Sequence, residues 1–161
     1  MDGVDPAREL LRHTVATVAY RGGKALRGAP ESFAAFRVGE STRTPAQILA
    51  HMGDLFDWAL HLAQGQPSWT ESTPLAWERE VERFHSALQA FDDFLASDAT
   101  LGCSVDQLFQ GPVADALSHI GQINMLRRLA GSPVKGENYF KAEVVAGRVG
   151  PEQSRPRREF E

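Results

Sequence analysis

Between Trp77 and Leu95 the residues Trp77, Val81, Phe84, Leu88, Phe91 and Leu95 recur at steps of four, three, four, three and four. That spacing is the apolar stripe of an amphipathic helix, with Glu78, Arg79, Glu80, Glu82 and Arg83 on the solvated face. Thr73-Pro74 supplies an N-cap and a first-turn proline, so the pattern predicts a helix opening there. A second stripe, Ile48, Met52, Leu55, Ala59 and Leu62, follows Thr44-Pro45-Ala46-Gln47. Those four residues carry a cap, an N1 proline and the glutamine of a capping box, and Gly65 and Pro67 end the run.

Two further helices are expected. One starts near Gly111-Pro112 and reaches Ala130, with Val113, Leu117, Ile120 and Ile123 marking its inner face and Leu126 and Leu129 beyond; Gly131 and Pro133 stop it. The other begins after Asp5-Pro6 and uses Leu11, Thr14, Val15 and Val18, while Gly22-Gly23 leaves its end open. Gly28–Arg43 is long enough to cross one end of a bundle. Strand-type alternation is nearly absent, and four helices sharing one core is the simplest way to bury four such stripes. The expected fold is all-α, a four-helix bundle over about residues 5–131 with an irregular extension, 132–161, in one domain of 161 residues. In that extension Tyr139, Phe140, Val144 and Val145 are expected to wrap back onto the bundle.

Charge and cysteine content narrow the function classes. Seventeen Lys and Arg against twenty-one Asp and Glu leave a net charge of −4, which argues against a general polyanion binder, so no nucleic acid partner is expected. Arg155–Arg158 reads as a solvated tail diluted by Glu159 and Glu161. The single Cys103 excludes an internal disulfide and a cysteine-rich zinc site. No stretch approaches the roughly 20 apolar residues of a membrane span. The opening Met1-Asp-Gly-Val-Asp-Pro has no apolar signal core, so the expected compartment is the cytoplasm. Phosphate loops and nucleophile-elbow serines are absent, which disfavours phosphotransfer and serine hydrolysis.

One cluster carries candidate chemistry. Asp115-Ala-Leu-Ser-His119 places a carboxylate and an imidazole four residues apart, one above the other on a helix. His51 shares its helix face with Ile48 and Leu55. Two histidines and an aspartate from facing helices would form a three-ligand site with open positions, suited to Zn²⁺, Fe²⁺ or Ni²⁺. The bland alternatives are hydrogen-bonded core histidines and an ordinary side-chain pair. Asp54, three residues after His51, could orient it, serve as a rival ligand, or stand exposed. Gln122, three beyond His119, could hydrogen-bond a ligand or pack between helices. His13, His61 and His85 lack partners at metal spacing. Trp58, Trp69 and Trp77 could wall a pocket, with core filling the stronger prior. Arg127-Arg128 suit the helix dipole at the end of the last long helix.

Several stretches resemble the DinB/YfiT-like family of metalloenzymes. Arg43-Thr-Pro-Ala-Gln-Ile-Leu-Ala-His51 is similar to the segment that opens the family's second helix and ends in its first metal histidine. Asp115-Ala-Leu-Ser-His119-Ile-Gly-Gln122 resembles the fourth-helix motif, where two histidines four apart precede a Gly-Gln pair, and Leu129-Ala-Gly-Ser-Pro133 resembles the exit from that helix. The resemblance implies an up-down-down-up bundle, a divalent metal held by three side chains, and a homodimer. The usual set is three histidines, and here Asp115 stands in one position; aspartate is a hard anionic ligand, so the departure bears on metal preference.

The implied activity is that of a metal-dependent enzyme acting on a small-molecule substrate. It is either a thiol S-transferase using a low-molecular-weight thiol or a metal-assisted hydrolase, with His51, Asp115 and His119 as ligands and not as general bases. The alternative is a non-catalytic dimeric module that binds a small molecule on a degenerate site.

Overall fold

The computed structural model describes residues 3–160. Four long helices carry the fold: α1 (Pro6–Leu26), α2 (Pro45–Ala63), α3 (Trp77–Ala96) and, after a short α4 (Val105–Leu108), α5 (Ala114–Leu129). Single 3₁₀ turns lie at Glu31–Ala35 and Tyr139–Lys141. Among the described residues the only β pairing is one antiparallel bridge between Glu137 and Glu159. Among the described residues no helix is long and apolar enough to cross a membrane.

The caps of α1 and α2 follow from local sequence. The Asp5 carboxylate accepts from the Ala7 N–H at 3.0 Å with Pro6 at the first position. Thr44 and Gln47 form the reciprocal capping box, and Gly65 leaves α2 with φ +75°, a conformation that favours glycine. α1 runs straight through Gly22-Gly23. A Cβ on Gly22 would lie 3.1 Å from the Phe84 ring and 3.3 Å from Ile120. Here glycine serves close helix packing and does not end the helix.

Two helix starts differ from expectation. α3 begins at Trp77, not at Thr73-Pro74, and its N-cap Ala76 offers no side-chain acceptor. Glu80 supplies the missing acceptor: its carboxylate, fully buried, takes the Leu75 N–H at 3.0 Å and the Arg83 Nε–H at 3.1 Å. The residues before Trp77 are thereby held extended, and Glu80 leaves the solvated face. The last helical stretch begins at Val105, six residues before Gly111, on a Ser104–Gln107 capping box. Pro112 then lies inside the helix. It lacks an N–H and would crowd the carbonyl four residues back; the chain answers with a wide turn over Phe109–Val113, in which the Ala114 N–H reaches back to Phe109 O. Such a turn inserts one extra residue, shifting the phase of the following helix by about 100°.

One apolar core joins the helices, built on Leu11, Val15, Leu49, Met52, Phe56, Phe84, Leu88, Phe91, Ile120 and Ile123. α1 lies antiparallel to α3, since Arg8 near its start donates to Leu95 O, Phe94 O and Ala99 O at the far end of α3. α5 runs alongside α1 in the same direction. Arg127, 4% exposed, donates to Ala25 O and Arg27 O as well as Ser132 O, so its guanidinium closes the carbonyl ends of both helices. That hydrogen-bonding role goes beyond the dipole contact expected of it. α2 crosses α5 in the opposite sense, with Trp58 near Gly111 and His51 near Asp115 and His119.

The C-terminal segment is tied to α1 by polar contacts. Lys24 Nζ donates to Glu137 Oε1 at 2.6 Å and Glu159 Oε2 at 2.9 Å, and the Tyr20 hydroxyl donates to Glu137 Oε2 at 2.5 Å. Burial alone would lower the Lys24 pKa, yet the two carboxylates outweigh it and hold it above its ordinary value. Val149 is the apolar anchor, and Val144 packs at the core edge. Tyr139 meets Tyr20 edge-on and Arg21 face-on. Of the four residues expected to wrap back, Tyr139 and Val144 do so, whereas Phe140 is 96% exposed and Val145 is also exposed: charge pairs and the Val149 anchor hold the segment together.

Candidate metal centre

His51 sits two turns into α2, where the capping box and the Ile48–Leu55 stripe fix its direction toward α5. Asp115 and His119 lie on the first turns of α5, immediately after the wide turn at Pro112. The result is a convergence of three side chains. Asp115 Oδ2 is 3.2 Å from His51 Nε2 and 3.4 Å from His119 Nε2, and the two imidazoles stand perpendicular with centroids 4.7 Å apart. One donor atom from each residue lies within 4.8 Å of the other two. His119 is buried, His51 half-buried, and the Asp115 side chain 46% exposed, so the group opens to solvent on the carboxylate side.

The donor set is compatible with a divalent ion, and two features bear on it. With bonds of about 2.0–2.1 Å, two ligands on a tetrahedral Zn²⁺ stand roughly 3.3 Å apart; both histidine–aspartate separations match that edge. The protons decide the second. His119 Nδ1 donates to Gln122 Oε1 at 2.9 Å, leaving the Nε2 lone pair facing the Asp115 carboxylate. Two acceptors aimed at each other need a cation between them, and either a metal ion or a second ring proton supplies it. His51, Asp115 and His119 therefore form a group that could hold a metal ion. Gln122 occupies the outer position that fixes a ligating histidine's tautomer.

Asp54 is committed elsewhere. Its carboxylate is 3% exposed and accepts from Ser72 N at 2.9 Å, Ser72 Oγ at 2.6 Å and Arg83 at 3.0 Å. Of the three expectations for it (orienting His51, acting as a rival ligand, standing exposed), none describes this arrangement. One turn beyond His51 the helix face has rotated toward α3 and the loop before it.

The remaining candidates divide. Trp69 stands edge-on to His51 at 5.7 Å and to Trp58 at 5.8 Å, so these two walls of the site are aromatic; Trp77 instead packs on Phe33. His61 donates from Nδ1 to Asp57 O, His13 is exposed, and His85 is buried with Nδ1 3.3 Å from Val149 O. Burial pushes the Cys103 thiol up, so no activated thiolate resides there.

Two open clefts adjoin the group. The one beside His51, about 390 Å³, is mainly polar and includes Gln47, Glu71, Ser72 and Thr73. The one beside His119, about 750 Å³, presents a mainly apolar surface, to which Ile48, Met125, Leu126 and Leu129 contribute. Arg43, directly before the α2 cap, borders both. Residue-type reasoning passed over it because an exposed arginine ahead of a cap has no spacing signature.

Comparison with protein-family models, with curated proteins and with solved structures found no match to this chain.

Proposed function

We propose that this protein is a metal-dependent enzyme of the DinB/YfiT type, holding a divalent ion on His51, Asp115 and His119 and acting on a small molecule. The observation that carries the reading is the spacing of Asp115 Oδ2 between two imidazole Nε2 atoms, with Gln122 setting the His119 tautomer. Two of the helix pairings described above, α1 beside α5 in one direction and α2 against α5, suit the up-down-down-up bundle that the sequence resemblance implies. The ion would supply charge that lowers the pKa of a bound thiol or water. Trp69, edge-on to His51 and backed by Trp58, lines one side of the group, and the exposed flank of Asp115 leaves a path for a ligand.

Within this class thiol S-transfer is favoured over hydrolysis, because two clefts of different polarity meet at the group and a transfer reaction needs room for two reactants. The competing reading, a module that binds without turnover, predicts Asp115 turned to solvent or paired with an arginine; its contacts to both histidines support the enzyme instead. A homodimer is part of the proposal and is decided separately by gel filtration with light scattering.

The test is elemental mass spectrometry on untagged protein purified without chelator, beside His51→Ala and Asp115→Ala. About one metal ion per chain, lost in both variants, supports the site and directs assays to thiol-transfer substrates. No metal after incubation with Zn²⁺, Ni²⁺ or Fe²⁺ overturns the enzyme reading.

A further inference from the structure

Four glycines lie inside the long helices, at 22, 23, 53 and 121, and an added Cβ on Gly23 would lie 3.0 Å from the Arg27 guanidinium. Glycine in a helix interior costs about 0.5–1 kcal/mol relative to alanine, so each asks for a reason. Gly22 faces Phe84 and Ile120, and a Cβ on Gly53 would lie 2.8 Å from the Arg83 guanidinium carbon. Close packing explains these three. Gly121 is different: its φ is unexceptional, and a Cβ there would meet nothing within 4 Å. It lies on the wall of the cleft beside His119.

The rest of that cleft is specific in chemistry. Met125 and Leu129 are 59% and 58% exposed, unusually high for large apolar side chains one turn apart on one helix, and with Ile48 and Leu126 they make an apolar trough. At its edge Arg43 has no hydrogen-bond or ion-pair partner among the described residues, and no other Lys or Arg lines the cleft. Ser41, Thr42 and Gln122 add neutral hydrogen-bonding groups. An unpaired guanidinium is a planar fork matched to one carboxylate.

We infer that this cleft binds an amphipathic monocarboxylate, its apolar body lying over Gly121 along Met125, Leu126 and Leu129 and its carboxylate on Arg43. This deepens the proposed function by naming the substrate class of the same site and rests on that reading for turnover, although binding itself does not need the metal. Gly121 leaves the space that the body of the ligand fills, and Arg43, the one arginine or lysine in the lining, sets selection for a single negative charge. A neutral analogue of the same shape keeps the apolar contacts and loses the ion pair.

The experiment is calorimetric titration of the full-length protein, as purified and after chelator treatment, with 4-phenylbutyrate and with 4-phenylbutan-1-ol. The acid is expected to bind about tenfold more tightly than the alcohol in both preparations, a ratio typical of one charge-assisted contact. Arg43→Gln, an exposed change, is expected to abolish that ratio while leaving the alcohol's affinity unchanged. Gly121→Leu, which projects into open space and favours the helix, is expected to weaken both ligands about tenfold or more.

Equal binding of acid and alcohol, a preference that survives Arg43→Gln, or no binding of either overturns the inference, whatever the metal content. An acid preference that disappears on chelation places the carboxylate on the metal and also overturns it. Carboxylate binding in protein that never takes up metal leaves the cleft assignment standing and removes the enzyme reading.

Discussion

Asp54 and Arg83 form an ion pair of 3.0 Å between α2 and α3, three residues past His51 yet directed away from it. The guanidinium also donates to Ala50 O at 2.7 Å and to Glu80 at 3.1 Å, so one arginine ties the α2 backbone to two buried carboxylates. The side chains that hold the helix carrying His51 are thus separate from those that converge on Asp115.

Asp54→Ala is expected to destabilise without emptying the proposed metal site. Removing one partner of a buried, hydrogen-bonded pair costs about 3–5 kcal/mol, and the 27% exposure of Arg83 places this case toward the lower end. Urea denaturation measures the loss. Metal content per folded chain should match the wild type; loss of metal at full folding would make Asp54 a ligand after all.

Gln122→Leu should act on affinity rather than on occupancy. Without the Oε1 acceptor, His119 is free to place its proton on either nitrogen and to rotate. Loss of such an outer partner typically weakens metal affinity by about 10–100-fold. Competition with a metallochromic chelator reads the shift, and near-stoichiometric metal should return at saturating concentrations. Unchanged affinity would show that Gln122 only packs at the cleft wall.

His85 predicts a pH dependence of stability. Burial depresses its folded-state pKa below the ordinary histidine value, with the nearby Arg27 acting in the same direction and the Val149 carbonyl opposing. The unfolded chain therefore binds the proton more readily. The stabilisation is complete above the unfolded value of about 6.5 and is lost as pH falls through and below it. Thermal unfolding between pH 7.5 and 5 should show a steeper fall for the wild type than for His85→Gln. Parallel curves would mean that the ring titrates alike in both states.

Two glycine replacements should move stability in opposite directions. Gly22→Ala puts a methyl 3.1 Å from Phe84 in a filled core, and overpacking of that kind costs about 1–3 kcal/mol, more than the helix gains. Gly121→Ala meets nothing and should stabilise by about 0.5–1 kcal/mol. Denaturant midpoints compare them directly, and a stabilising Gly22→Ala would show that Phe84 yields without cost.

Helix existence was legible wherever a stripe and its cap lay together in the chain. The Thr44–Gln47 box and the Asp5-Pro6 start stand where the pattern put them, because capping joins residues three apart and needs no tertiary partner. The starts of α3 and of the α4–α5 stretch were misplaced for different reasons. Thr73 is a plausible cap, but the buried Glu80 side chain captures the Leu75 N–H instead. The Ser104–Gln107 box is as local as that of α2, but Gly111-Pro112, six residues past Val105, is a competing start signal, and only the wide turn that absorbs Pro112 lets the helix open earlier.

Taken by itself, the sequence determined an all-helical chain and the i, i+4 placement of Asp115 and His119 on one helix face, since both follow from periodicity and local hydrogen bonding. Only the tertiary structure decided which distant groups met. It turned Asp54 to Arg83 and not to His51, left Phe140 in solvent while Glu137 entered the interior beside Lys24, and brought Asp115 Oδ2 within 3.2 Å of an imidazole 64 residues away in the chain. Those outcomes depend on helix phase and on competition among charged partners, neither of which is written in the spacing of residues along one helix.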